Sequence, residues 1–297
     1  MKRFHKMTVV GPTRFTEASR EKMGTIYAEE AIFIPYVPRT EEELIEVIAD
    51  SDCLLVALQV KVTKKVIDAC PSLRYIGMCC SLYNPESANV DFPAANEKGI
   101  VVTGIRDYGD EGVVEFVISE LVQLLHGFGA HQWREVPTEL TGQKIGILGM
   151  GTVGHRITAA LNFFGADVYY YSRTKKDDVK ATYLPLNELM ETVDIAIGCL
   201  NKNAVIVGEE AMAHFGNDKI LMNIAIGPFV ENEVLGRWLA YSGNWYICDE
   251  LWGLGDESFN LRPNVICPAK SAGNSTQLVG RYNKKILENI EAFLNEA

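Results

Sequence analysis

No part of this chain is apolar for long enough to cross a bilayer; every hydrophobic run breaks well short of the ~20 residues a spanning helix needs. No signal-like apolar segment opens it, so the cytoplasm is the expected compartment. Cysteine is sparse and unpatterned. The seven, at 53, 70, 79, 80, 199, 248 and 267, are odd in number and show no framework spacing, and the adjacent Cys79 and Cys80 lack the CxxC spacing of a redox motif. Histidine is scarcer still, with five residues on helices, in turns or near the terminus. No HExxH or cysteine–histidine grouping occurs, so no metal site is expected. Positive charge is in deficit. Lys and Arg number 28 against 39 Asp and Glu, and the net charge of −11 excludes general affinity for nucleic acid or anionic membranes.

What remains is 297 residues, 47% of them hydrophobic, enough material for about two domains. Helical periodicity at 41–50 precedes a short apolar strand at 53–58, then a helix at 62–70 stopped by Pro71, and strands at 73–78 and 99–105. The longest helical pattern covers 110–129. A second series follows: strand 144–150, helix 153–165, strand 167–172, helix 186–193, strand 194–200, helix 208–216, strand 219–226, helix 231–243, strands 244–250 and 264–269, and a terminal helix at 275–297. Such alternation predicts an α/β protein with a parallel sheet, and a doubly wound cofactor domain near 107–272.

The strongest motif is Gly149-Met150-Gly151-Thr152-Val153-Gly154, which follows one predicted strand and opens a predicted helix. In that setting Gly149 permits a tight turn, Gly151 lets a pyrophosphate approach the backbone, and Gly154 lets helix and strand pack closely. The pyrophosphate would rest on the positive end of the helix. An acid about 20 residues past the first glycine would select NAD(H). The second strand instead ends at Ser172, 23 residues after Gly149, and continues Arg173-Thr174-Lys175-Lys176. Hydroxyls and cations suit a 2′-phosphate that an acid would repel, so NADP(H) is expected in preference to NAD(H). Asp177 and Asp178 lie further out and weaken that field a little.

From about Ala49 onward the chain resembles the D-isomer-specific 2-hydroxyacid dehydrogenases, most clearly in GILGMGTVGHRITAALNFFGADVYYYSR. Further matches are 90–104, 112–125 and 194–230, and the SR-x-KK ending looks like the family's NADPH-using hydroxypyruvate or hydroxyphenylpyruvate reductases. The resemblance implies two Rossmann-like, doubly wound parallel-sheet domains of the formate/glycerate dehydrogenase type. Residues 1–106 and 273–297 would form a substrate domain around a cofactor domain at 107–272, with homodimers through the cofactor domain. It also implies cofactor contacts at Cys199, Leu200, Asn201, Ile224, Ala225, Ile226, Asp249, Ala272 and Gly273, and a small-molecule substrate.

In the family an arginine of an N-x-A-R-G segment holds the 2-oxo acid, a histidine of P-H-x-x-G donates the proton, and a glutamate tunes that histidine. Here the first segment reads Asn223-Ile224-Ala225-Ile226-Gly227 and the second Ala269-Lys270-Ser271-Ala272-Gly273. Isoleucine cannot make a bidentate bond to a carboxylate or stabilise a developing alkoxide. Lysine can serve as general acid or fixed cation. Glu250, Asp256 and Glu257 compete as its acidic partner, with Glu250 preferred. The substrate loop after the strand ending near Met78 offers Cys79, Cys80, Ser81, Tyr83 and Asn84, and Tyr108 precedes the long helix. Two main readings follow: an NADP(H)-dependent reductase of a 2-oxo acid or related carbonyl with Lys270 replacing histidine, and a non-catalytic dinucleotide-binding sensor or scaffold. An imine substrate, or a relocated arginine such as Arg106, stays open.

Overall fold

Residues 2–296 are described by a computed structural model; Met1 and Ala297, the end residues of the expected domain ranges, lie outside them. The chain runs β1 (Phe4–Val10), α1 (Glu17–Lys22), β2 (Ala28–Ile34), α2 (Glu41–Ile48), β3 (Cys53–Val56), α3 (Lys64–Ala69), β4 (Tyr75–Ser81), α4 (Phe92–Glu97) and β5 (Val101–Ile105). It continues with α5 (Asp110–His126), β6 (Lys144–Leu148), α6 (Thr152–Phe163), β7 (Asp167–Tyr171), β8 (Thr182–Tyr183), α7 (Leu186–Thr192) and β9 (Ile195–Gly198). The last elements are α8 (Glu209–Phe215), β10 (Ile220–Asn223), α9 (Asn232–Trp238), β11 (Trp245–Cys248), β12 (Val265–Ile266) and α10 (Thr276–Glu296).

Two compact units result. One extends to Tyr108 and resumes at Ser275; the other is Gly109–Asn274, its edges two residues from the expected 106/107 and 272/273. The first holds a five-stranded parallel sheet in the order β2-β1-β3-β4-β5. Leu278, Tyr282, Ile286, Ile290 and Leu294 of α10 recur every four residues and are buried with Phe4, Met7 and Tyr75 against one face of it. The strands β1 and β2 were not anticipated from the sequence. Their apolar runs are broken by His5, Lys6, Glu29 and Glu30, and the structure pairs three of these, His5 with Glu29 at 3.1 Å and Lys6 with Asp50 at 2.7 Å.

The second unit holds a seven-stranded parallel sheet in the order β12-β11-β10-β9-β6-β7-β8. Counted from β6 this is a doubly wound order reversing between β6 and β9, the crevice where such sheets bind ligands. Separate apolar cores cover its two faces. Both sheets are Rossmann-like, as expected. Several elements end sooner than their apolar patterns suggest. The long helix stops at His126 because Gly127 takes a left-handed cap at φ 69°. Similarly, β6 stops at Leu148 because Gly149 turns at φ 101°. No helix of the described residues is long and apolar enough to cross a membrane.

Candidate active site

At the carboxyl end of β6 the chain turns through Gly149 into α6. A Cβ on Gly149 would lie 2.5 Å from the Cys199 carbonyl oxygen, and one on Gly154 would collide with the Gly149 carbonyl. A Cβ on Gly151, by contrast, would meet nothing within 4 Å. Two glycines are therefore demanded by packing, while the third leaves an open approach to backbone. Gly151 also caps the 12-residue α6 without any side-chain acceptor on its first amides. Open N–H groups at a positive helix end, behind a cradle with no Cβ, fit a dinucleotide pyrophosphate. Thr152 is exposed and Val153 half-buried at the mouth of the turn, while Met150 is buried beneath it, 3.8 Å from the Thr158 hydroxyl.

The turn after β7 is held from inside. The buried Tyr170 hydroxyl accepts from the Lys176 amide at 2.9 Å and donates to the Lys176 carbonyl at 3.0 Å. Ser172 donates to the Thr174 carbonyl at 2.6 Å, so its hydroxyl closes the turn. Arg173, Thr174 and Lys175 are exposed, and among the described residues neither Arg173 nor Lys175 enters an ion pair. Asp178 turns toward His155 of α6 at 3.5 Å, away from those cations.

The other expected cofactor residues gather at the same carboxyl edge. Cys199, half-buried, leaves β9 beside Gly149, its amide on the Leu148 carbonyl at 2.8 Å, followed by Leu200 and the exposed Asn201. After β10, the fully buried Asn223 shapes the next loop. Its Oδ1 accepts from the Ala225 amide at 2.9 Å, and its Nδ2 donates to the carbonyls of Gly227 and Gly253 at 3.0 and 2.9 Å. The Ile224 amide reaches the Gly198 carbonyl at 3.1 Å, and the Ile226 carbonyl accepts from the Asn203 amide at 2.8 Å. The Ile226 side chain, however, is 48% exposed, a large hydrophobe presented by a backbone fixed on both sides.

Asp249, just beyond β11, is buried. Its Oδ2 accepts from the Ala272 amide at 2.9 Å, and its carbonyl accepts from the Lys270 amide at 2.8 Å. Burial raises its carboxyl pKa, and the Ala272 hydrogen bond opposes that rise. Asp249 thus clasps the segment carrying Lys270, which enters it through Ala269 at φ 52° and presents an exposed side chain. Ala272 and Gly273 pass close to the start of α5, where a Cβ on Gly112 would collide with the Ala272 carbonyl. Glu250 is not brought to Lys270. Among the described residues the two form no ion pair, because Glu250 turns into the short helix Leu251–Gly253 as its cap. Asp256 is engaged elsewhere, accepting from the Ser258 amide at 2.9 Å. No acidic partner for Lys270 emerges.

In the other unit the expected substrate residues separate. Cys79 and Cys80 are 5% and 4% exposed, on opposite faces of β4 in different apolar cores. They do not line an open pocket. Strand alternation sends both thiols inward because this sheet is covered on both sides, and burial pushes the Cys79 thiol well up. Ser81 is the first residue beyond that packing and its hydroxyl donates to the Tyr108 hydroxyl at 3.4 Å. Tyr83 is exposed. Arg106 lies 5.5 Å over its ring and donates to the carbonyls of Leu82 and Tyr83, tying its guanidinium into its own loop. Among the described residues no cluster of His, Cys, Asp and Glu is placed to hold a metal. A hollow of about 480 Å³ lined by Leu239, Trp245 and Asn264 lies at the amino ends of β11 and β12, the edge opposite the glycine turn.

Comparison with known proteins places similar sequences and folds beside this one. The D-isomer specific 2-hydroxyacid dehydrogenase, NAD binding domain, matches residues 118–243. Over that stretch the chain is similar to this dehydrogenase domain. A glyoxylate reductase of Thermococcus gammatolerans is 27% identical over 261 residues, covering 78% of this chain and 76% of the relative. A hydroxypyruvate reductase of Blautia hydrogenotrophica is 29% identical over 216 residues, 65% and 66% of the two chains. Among solved structures, an acyclic imino acid reductase, Bsp5, in complex with NADPH and D-Arg superposes with a TM-score of 0.83 at 21% identity, over 98% and 97% of the chains. NAD+-bound 3-phosphoglycerate dehydrogenase of Entamoeba histolytica gives 0.75 at 20%, over 99% and 96%. The glycine turn and the segments 223–227 and 269–273 therefore sit on a fold shared with these dehydrogenases.

Proposed function

We propose that this protein is a member of the D-isomer-specific 2-hydroxyacid dehydrogenase family and an NADP(H)-dependent oxidoreductase that reduces a small carboxylate-bearing carbonyl, a 2-oxo acid or a related compound, with Lys270 in the place of the family histidine. The observation that carries the cofactor choice is the turn after β7, fixed by Tyr170 and presenting Arg173 and Lys175 without acidic partners. In this reading 109–274 is the cofactor unit, and residues up to 108 with those from 275 form the substrate unit.

The bound dinucleotide supplies hydride exchange at its nicotinamide. The chain does the rest. Amides at Gly151–Gly154 hold the pyrophosphate, and Arg173 and Lys175, with the Thr174 hydroxyl and Ser172 after rotation, take the 2′-phosphate. The loops at Cys199–Asn201 and Ile224–Ile226, with Asp249, Ala272 and Gly273, border the nicotinamide end. The Lys270 Nζ delivers a proton to the carbonyl oxygen or holds its developing charge. Ser81, Tyr83 and Tyr108 offer hydroxyls to the substrate. A homodimer through the cofactor unit completes the proposal, with the exposed Phe128, Val136 and Phe163 as its apolar surface.

Ile226 favours a second reading, an imine substrate. A protonated imine carries its own positive charge, needs no general acid and would be repelled by an arginine. The imino acid reductase bound to NADPH and D-Arg supports this by fold. A panel of 2-oxo acids, each assayed with and without amines while NADPH absorbance is followed, separates the readings. Turnover with oxo acids alone supports the first, turnover only with amine supports the second, and silence across the panel favours the non-catalytic scaffold.

A further inference from the structure

Beside the Asp249 clasp lie two cysteines with no part in the reductase reading. Strands β11 and β12 are parallel neighbours, with Tyr246 opposite Val265 and Ile247 opposite Ile266. Continued one residue past the end of β12, that register brings Cys248 opposite Cys267. Alternation confirms the facing: Tyr246, Cys248, Val265 and Cys267 all belong to one apolar core, while Ile247 and Ile266 belong to the core on the other face. Neighbouring strands run about 4.8 Å apart, inside the roughly 4.4–6.8 Å between Cα atoms that a disulfide spans.

The two thiols differ in access. Cys248 is fully buried, and its place is crowded: a Cβ on Gly253 would lie 3.0 Å from the Cys248 Cβ and 3.5 Å from its sulfur. Cys267, past the end of β12, is half-buried. The Cys248 thiol donates to the Cys267 sulfur and the Ala269 amide adds a second donor, so Cys267 has the lowered pKa of the pair and Cys248 the raised one. Burial, Asp249 and Glu250 oppose the lowering at Cys267. An accessible, activated thiol in front of a buried thiol is the arrangement of an attacking and a resolving cysteine.

We propose that Cys267 and Cys248 form a dithiol modification site that takes low-molecular-weight disulfides and closes to an intrachain disulfide. The Cys267 thiolate attacks one sulfur of the small disulfide, expelling a thiolate and leaving a mixed disulfide on Cys267. Cys248 gives its proton to the departing thiolate and attacks the Cys267 sulfur, expelling the second thiolate, which leaves as a thiol once protonated by solvent. One small disulfide is reduced to two thiols, and two protein thiols are oxidised to one disulfide. The bond would join the strand ends on either side of Asp249 and tether the segment carrying Lys270.

Intact-mass and peptide mapping of the full chain, incubated with oxidised glutathione, tests this. The expected result is loss of two hydrogen atoms per chain, a 248–267 crosslink and reversal by a thiol reductant. Cys248→Ser should trap glutathione on Cys267, and Cys267→Ser should leave Cys248 unmodified. Hydrogen exchange at amides 269–273 should slow on crosslinking of the wild-type chain, a readout needing no variant to fold. A stable glutathione adduct on wild-type Cys267, a crosslink between other cysteines, or an unmodified pair would overturn the proposal. None of these outcomes bears on NADPH oxidation, so the site and the reductase reading fail separately.

Discussion

The loop after β6 and the loop after β10 leave the same edge of one parallel sheet, and each is held by backbone contacts a side chain would spoil. At the first, Gly149 and Gly154 are packed against carbonyls while Gly151 stands open. At the second, Asn223 makes three hydrogen bonds and Gly227 adopts φ 92°, so the loop that carries Ile226 is fixed. Both loops are firmly built, but in the proposed reading only the glycine turn carries the groups its expected chemistry requires. Lys270 stands on a third such segment, clasped by Asp249.

Breaking the intact side should give the largest effect. Gly149→Ala forces a Cβ against the Cys199 carbonyl at φ 101°, and should cost about 2–5 kcal/mol and abolish dinucleotide binding, as read by thermal unfolding and fluorescence titration. Arg173→Ala removes an exposed cation and should leave stability unchanged. It should weaken NADPH about tenfold while leaving NADH alone; equal losses for both would show that the turn does not read the 2′-phosphate. Tyr170→Phe is subtler. Losing both hydrogen bonds to Lys176 should cost about 1 kcal/mol and narrow the NADPH preference about threefold by loosening the turn.

Much of the cofactor side was legible because its signals are local. A glycine triplet between strand and helix has one good physical reading, a dinucleotide; Ser172-Arg173 in place of an acid is as local a signal, and its reading as an NADP(H) preference is the proposal the titrations test. The reaction side was less so. Cys79 and Cys80 looked like pocket residues from their place after a strand, but only the second covering of the sheet shows why both point inward. Glu250 follows the β11 end closely in sequence, yet the helix starting at Leu251 turns it aside. Asn223 and Tyr170 went unnoticed because a buried hydrogen bond to backbone leaves no pattern in the sequence. The first two strands were hidden by charges whose partners lie 24 and 44 residues away.

The separation between the two loops is tested most directly at Lys270. Lys270→Ala should be assayed for NADPH affinity and for turnover on the best substrate of the panel. Turnover should fall about 100-fold with NADPH affinity changed less than about twofold. Unchanged turnover, or a loss of affinity as large as the loss of turnover, would contradict the account.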